Sequence, residues 1–174
     1  SDKMAEYLSK LKPTTLEDLI AMNALYRPGP MDNIPDFIDR KQGRKAITYL
    51  HPIMEKSLSK TYGIIVYQEQ VMQLARDLAG FTLAQADTMR RAMGKKDANT
   101  MLKLKEDFIQ GAMHNSISED LASEIFDLVL KFAQYGFNKS HSTAYAYLAY
   151  QTAWFKAHYT AEFLAANMTA ELND

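Results

Sequence analysis

The sequence predicts a mainly α fold: one multi-helical domain with at most a very short strand near residues 64–67. Three observations carry this expectation. Apolar residues recur at helical spacing in several separate segments, most clearly from Gln68, where Val71, Leu74, Ala75, Leu78 and Ala79 share one side. Gly63-Ile64-Ile65-Val66-Tyr67 is the only β-branched run, and its length suits an extended entry to the next helix as well as it suits a strand. The almost wholly apolar stretch from Thr143 to Ala157 keeps to no single stripe, which predicts a helix buried in the core. At 174 residues the chain is long enough for one domain with a substantial core.

The elements follow in order. Met4 to Leu11 is a short helical pattern with Tyr7, Leu8 and Leu11 on one side, ended by Pro13. Thr14 and Glu17 have capping-box spacing before a helix from Leu16 to Leu25, which is expected to bury Leu16, Leu19, Ile20 and either Asn23 or Ala24. Arg27-Pro28-Gly29-Pro30 then stops the helix, since two prolines cannot continue it and Gly29 permits a turn. Met31 to Thr61 is the least regular part. It has one or two helical turns around Asp36–Lys41, a basic pair at Arg44 and Lys45, and a short helix from Ile53 to Leu58. The helix begun at Gln68 ends at Gly80, and Thr82 with Gln85 restarts the chain at capping-box spacing. Leu83 to Met93 carries Leu83, Ala86, Arg90 and Met93 within one third of its circumference. Met101, Leu104, Phe108 and Ala112 mark a further helix. Ser116 and Glu119 have cap spacing for the next, which carries Leu121, Ile125, Leu128 and Phe132. A last helix begins near Thr160 with Phe163, Leu164 and Asn167.

Composition narrows the function classes. The formal net charge is −1, so any nucleic-acid contact must come from local patches. Cys is absent, which excludes disulfides and thiolate metal sites and suits a cytoplasmic protein. No apolar run of about 18 residues predicts a membrane span, and the opening residues do not lead one to expect a signal peptide. The chain opens Ser1-Asp2-Lys3 without an initiating Met, as expected of a piece of a longer chain. There is no GxxxxGK[ST] loop, HExxH helix or GxSxG elbow, and no Asp pair suits a two-metal site. The four His stand apart at 51, 114, 141 and 158, so no metal site is expected. The 10 Met and the aromatics are expected to fill the core.

Two places carry candidate chemistry. Tyr135-Gly136-Phe137-Asn138-Lys139-Ser140-His141-Ser142 precedes the apolar helix, so its polar groups gather at a helix N-terminus, which favours anions. Lys139, Ser140 and His141 add donors there. One reading is a phosphate or nucleotide site. The other is a helix cap, Ser140 or Ser142, beside a solvated Lys and a hydrogen-bonded His. The second place holds four cations in seven residues: Arg90, Arg91, Lys95 and Lys96. Arg90 lies on the expected apolar side and needs an anion, either a carboxylate such as Asp87 or Glu69 or a ligand phosphate. Arg91 points about 100° away. Lys95 and Lys96 suit a solvated helix end equally well.

Five ordered blocks carry a resemblance. They are Ala24-Leu25-Tyr26-Arg27-Pro28-Gly29-Pro30, Tyr62-Gly63-Ile64-Ile65-Val66-Tyr67-Gln68-Glu69-Gln70-Val71-Met72, Arg90-Arg91-Ala92-Met93-Gly94-Lys95-Lys96, Tyr135 through Ser142, and Tyr150-Gln151-Thr152-Ala153-Trp154-Phe155-Lys156-Ala157-His158-Tyr159. Together they resemble the C-family of bacterial replicative DNA polymerases, the DNA polymerase III alpha subunits, over essentially the whole chain. The resemblance implies a helical fingers domain at residues 31–174, with residues 1–30 ending the palm or forming the palm–fingers junction. It implies DNA-directed DNA synthesis in DNA replication, with two Mg²⁺ ions held by palm aspartates that lie upstream of this segment. The segment alone is therefore expected to be inactive. By the same resemblance, Arg90, Arg91, Tyr135, Asn138, Lys139, Ser140 and His141 would meet the incoming dNTP, with His141 a candidate proton donor to the leaving pyrophosphate. Lys95, Lys96 and Arg27 would meet primer-template DNA, although the rigid turn also suits Arg27 to a hinge ion pair. The parent would further engage other replicase subunits, including the sliding clamp. A helical DNA-binding module without a nucleotide pocket, or a structural interaction module, is the competing expectation.

Overall fold

A computed structural model of the chain describes residues 2–95, 98–133 and 135–173. Its ten α-helices are α1 (Asp2–Leu11), α2 (Leu16–Leu25), α3 (Ile34–Lys41), α4 (Met54–Leu58), α5 (Gln68–Ala79), α6 (Leu83–Lys95), α7 (Ala98–His114), α8 (Glu119–Ala133), α9 (Lys139–His158) and α10 (Thr160–Ala170). Short 3-10 turns at Pro30–Asn33, Ser59–Thr61 and Glu171–Asn173 complete the order. The fold is mainly α. Among the described residues the β-branched run forms no strand; it is an extended entry to α5 with one isolated parallel bridge, Tyr67 to Phe137.

The helices bury two cores. The larger takes Val71, Leu74, Ala75 and Leu78 of α5, Ala86 and Met89 of α6, Phe108 of α7 and Ile125, Phe126 and Val129 of α8. The smaller joins Leu11 of α1, Ile20, Ala21, Met22, Ala24 and Leu25 of α2, Phe37 of α3, Ala146 of α9, and Val66 and Tyr67 of the extended segment before α5. Phe132 packs against both. Leu11 and the buried apolar residues of α2 thus share one interior with Ile34, Phe37, Ile38, Ile64, Val66 and Tyr67, while Met54, Leu58 and Ile65 belong to the larger core. At Gly111 of α7 a Cβ would lie 2.0 Å from the Ala79 carbonyl oxygen, so only glycine lets α7 approach the end of α5 this closely.

Two buried polar networks hold the irregular segments. Asp18 accepts hydrogen bonds from the N–H groups of Thr14 (2.9 Å) and Thr15 (3.1 Å) and from the Tyr62 hydroxyl (2.7 Å), with Lys41 at 3.6 Å. Gln70 accepts from the N–H groups of Val66 (2.8 Å) and Tyr67 (3.0 Å) and donates to Ser57 O and Thr61 Oγ1. It thereby satisfies an extended segment that has no sheet partner.

Several local expectations shift. The cap of α2 is Thr15 with Asp18, not Thr14 with Glu17, because Thr15 stands immediately before the first helical residue; Glu17 instead pairs with Lys60 at 3.0 Å. The α8 cap is Ser118, which accepts from Leu121 N–H, while Ser116 adopts a positive φ of 64° in the preceding turn. Thr82 and Gln85 cap α6 as the spacing predicted. On α6 the buried stripe is Ala86, Met89 and Ala92, and Leu83 is 62% exposed. Arg90 sits about 100° from Met89 on the helix wheel, at the flank of the stripe and not within it. The side chain of Met93 and all of Lys96 lie outside what the structure describes.

The largest correction concerns α9. It was expected to be a core helix, yet only Ser142 and Ala146 are buried. Ser142 and Ala146, in its first turns, pack on α2. Tyr145, Tyr147, Leu148, Tyr150, Trp154 and Phe155 of α9 are exposed.

Candidate functional site

The Tyr135–His141 segment is positioned from three sides. The parallel bridge fixes its backbone: Phe137 N–H donates to Val66 O (3.1 Å) and Gln68 N–H to Phe137 O (3.0 Å). Arg27 donates through Nη2 to Tyr135 O (2.8 Å), and its guanidinium lies 4.2 Å from the Phe137 ring centroid. Gly29, at φ 98°, lies under the Tyr135 ring, where a Cβ would come within 2.6 Å of two ring carbons. The sequence allowed Arg27 a hinge ion pair. Among the described residues it makes carbonyl hydrogen bonds to Ala24 and Tyr135 and a cation–π contact instead.

Asn138, not Ser140 or Ser142, caps α9; its Oδ1 accepts from His141 N–H at 2.8 Å. Ser142 is fully buried, donates its hydroxyl to Ile20 O and accepts from Asn23 Nδ2 at 3.3 Å, which ties α9 to α2. Glu69, in the first turn of α5, accepts from Lys139 N–H through both oxygens (3.1 Å each) and from Asn138 Nδ2 (3.2 Å). A carboxylate thus occupies part of the anion-favouring helix end. Lys139 Nζ lies 5.4 Å from the Tyr67 ring centroid, and His141 sits between Phe137 and Tyr145 at ring distances of 5.3 and 4.8 Å. Burial pushes the Tyr67 phenol far above its usual range, so it stays neutral. Ser140 and His141 are exposed.

The second cluster belongs to α6. Arg90 donates from Nε (3.0 Å) and Nη2 (2.8 Å) to Asp87 Oδ1, and Arg91 Nη2 meets Asp87 Oδ2 at 2.6 Å. Of the anions considered for Arg90, the structure supplies Asp87. The Arg90 hydrogen bond, with Arg91 beside it, holds the Asp87 carboxyl below its usual range. Arg91 is 61% exposed, and Lys95 is exposed at the helix end.

Among the described residues no hydrogen bond, ion pair or ring contact joins the two clusters. Their link is α5, which holds Glu69 against Lys139 at one end and packs on α6 after a three-residue turn. Two clefts, of 530 and 250 Å³, open along the seam between the cores; of the expected site residues only Tyr135 lines either, in the smaller. Among the described residues no group of three His, Asp or Glu could hold a metal ion, and no helix is long and apolar enough to cross a membrane. Sequence reasoning left the roles of Glu69 and Asp87 open. For Asp87 the i+3 and i+4 spacing to the two arginines was a legible signal; for Glu69 no local signal exists, because its partners lie about seventy residues away.

Residues 1–116 match the family described as the bacterial DNA polymerase III alpha subunit finger domain. The chain is 53% identical over all 174 residues to the DNA polymerase III subunit alpha of Borreliella burgdorferi. It is 54% identical over 178 aligned residues, 98% of the chain, to that of Pseudomonas aeruginosa, and 51% identical over 174 residues to that of Caulobacter vibrioides. The chain spans about 15% of the length of each of these relatives.

Proposed function

This chain belongs to the bacterial DNA polymerase III alpha subunit finger family, and from that premise we propose that it binds the triphosphate and nascent base pair of an incoming dNTP and helps hold primer-template DNA. The family match carries the reading, since it spans Arg90 and Arg91. The geometry supports it. Both arginines stand together on an accessible helix flank, and planar guanidinium forks suit phosphate oxygens. The Tyr135–His141 turn is held rigid from three sides while leaving Ser140 and His141 exposed.

Phosphoryl transfer depends chiefly on positioning and on neutralising phosphate charge. In this reading Arg90 and Arg91 take triphosphate oxygens. Lys139, Ser140 and His141 donate from the start of α9, with His141 steadying the triphosphate or protonating the departing pyrophosphate. Tyr135 and Asn138 border the base pair. Lys95 and Lys96 meet the DNA backbone, while Arg27 acts through the Tyr135 carbonyl and the Phe137 ring. Residues 1–30 lead in from the palm. The described residues do not fit the Mg²⁺ pair of a polymerase, so the ions and the catalytic carboxylates are assigned to the palm, and the segment alone does not polymerise. The sliding clamp and other replicase subunits engage other parts of the parent in the cytoplasm.

The test is single-nucleotide incorporation by the intact parent polymerase carrying Arg90→Ala, Arg91→Ala or His141→Ala over a range of dNTP concentrations. The expected result is a large loss of kcat/KM for dNTP with primer-template affinity kept. Wild-type kinetics in all three would overturn the reading. The exposed aromatic face of α9 favours the second reading, an interaction module without a nucleotide pocket. In that case DNA affinity or assembly would change and the dNTP dependence would not.

A further inference from the structure

Resting on the nucleotide reading above, we propose that Asp87 is a positioning residue for the triphosphate: it gathers Arg90 and Arg91 into a single phosphate-facing fork. Adjacent residues leave a helix about 100° apart, so two neighbouring arginines with no third partner diverge into solvent and repel each other. Here they converge. One carboxylate takes Arg90 on Oδ1, through Nε at 3.0 Å and Nη2 at 2.8 Å, and Arg91 on Oδ2, through Nη2 at 2.6 Å.

The position of Asp87 makes this possible. It precedes the two arginines by three and four residues, the two spacings that bring side chains together on a helix. It is also the only acidic residue of α6. Its side chain and that of Arg90 are each 33% exposed, so the trio lies at the surface and is not sealed in the core. Each guanidinium carries five N–H donors, and Asp87 engages one or two, which leaves donors of both arginines for a second anion. The trio keeps a net positive charge, and Lys95 adds to it. Packing gives no other reason for the arrangement: the buried stripe of α6 is Ala86, Met89 and Ala92, and it needs none of the three charged residues. The depressed Asp87 carboxyl pKa is consistent, since it marks an ion that stays charged beside its partners.

The experiment uses the intact parent polymerase with Asp87→Ala, Asp87→Asn and Asp87→Glu, read as KM and kcat for dNTP and as thermal midpoint. Asp87→Ala should raise KM for dNTP about tenfold with kcat within about twofold and no change in midpoint, as expected for lost organisation of charge-assisted contacts. Asp87→Asn should fall between Asp87→Ala and wild type, and Asp87→Glu should restore most of the affinity. Because Asp87 acts through the arginines, Asp87→Ala combined with Arg91→Ala should cost less than the sum of the two single losses, the remainder being the lost hold on Arg90. An unchanged KM, a lowered KM in Asp87→Ala or Asp87→Asn, or fully additive losses would overturn the proposal; the lowered KM would make Asp87 a competitor of the triphosphate. If Arg90→Ala and Arg91→Ala raise KM while Asp87→Ala does not, only this inference fails. If neither arginine variant moves KM, the nucleotide reading fails with it.

Discussion

The two cation clusters look alike in sequence and are built in opposite ways. The α6 cluster is local: Asp87, Arg90 and Arg91 lie within five consecutive residues of one helix, and any helix at that place would assemble them. The α9 cluster is tertiary. Its loop is fixed by a bridge to Tyr67, by Arg27 from the turn after α2, and by Glu69 from the start of α5. The two clusters therefore differ in what a substitution should disturb. Changes on α6 should alter ligand binding and leave stability alone, whereas changes around α9 should alter both.

The largest effect expected is at α6. Arg90→Ala or Arg91→Ala in the parent should lower kcat/KM for dNTP about a hundredfold, the scale of lost charge-assisted contacts, with an unchanged thermal midpoint. A fall in midpoint would show that the cluster is not merely local. At α9, Ser142→Ala removes a fully buried hydroxyl that donates to Ile20 O and accepts from Asn23. It should destabilise the parent by about 1–3 kcal/mol in denaturant unfolding, because a buried partner is left unsatisfied. Asn138→Ala removes the α9 cap and should cost about 1 kcal/mol while also raising KM for dNTP, so one substitution reports both effects. Unchanged stability in both variants would erase the contrast between the clusters.

The smallest effect is the response to pH. The folded-state pKa of Asp87 is depressed, so its pairing with the arginines is complete above the ordinary value of 3.8 and is lost only as pH falls through the lower folded value. The α6 cluster should thus keep KM for dNTP flat with respect to this group from neutral pH down to about pH 5. Asp18 behaves in the same direction within the core. Burial alone would raise its carboxyl pKa, but hydrogen bonds from Tyr62, Thr14 and Thr15, with Lys41 nearby, outweigh it and hold the pKa low. Tyr62→Phe should therefore move acid unfolding to higher pH.

This contrast also decides what could be read in advance. Helical period located α5 and α7 well, since Val71, Leu74, Ala75 and Leu78, and Met101, Leu104, Phe108 and Ala112, all face the core as their spacing predicted. Exact caps were legible only where no neighbour competed: Thr82 with Gln85 held, while Thr14 and Ser116 each gave way to a Thr or Ser nearer the first helical turn. The distant arms of the Asp18 and Gln70 networks, to Tyr62 and Lys41 and to Ser57 and Thr61, left no local trace, because those partners are brought in by tertiary packing. Apolar character misled at α9, since it reports that a surface seeks cover and not which chain covers it. The need of Arg90 for an anion was legible and the spacing of Asp87 to both arginines was a signal for it, whereas the choice of Asp87 over Glu69 was settled only by the fold.

Hydrogen exchange of the intact parent polymerase, on a chain-terminated primer-template with and without the matching dNTP, would test the central claim most directly. If both clusters serve one triphosphate, dNTP should slow exchange together at residues 135–142 and 87–95, and Arg91→Ala should weaken the protection at both. Protection at one segment alone, or at neither, would contradict a shared triphosphate site.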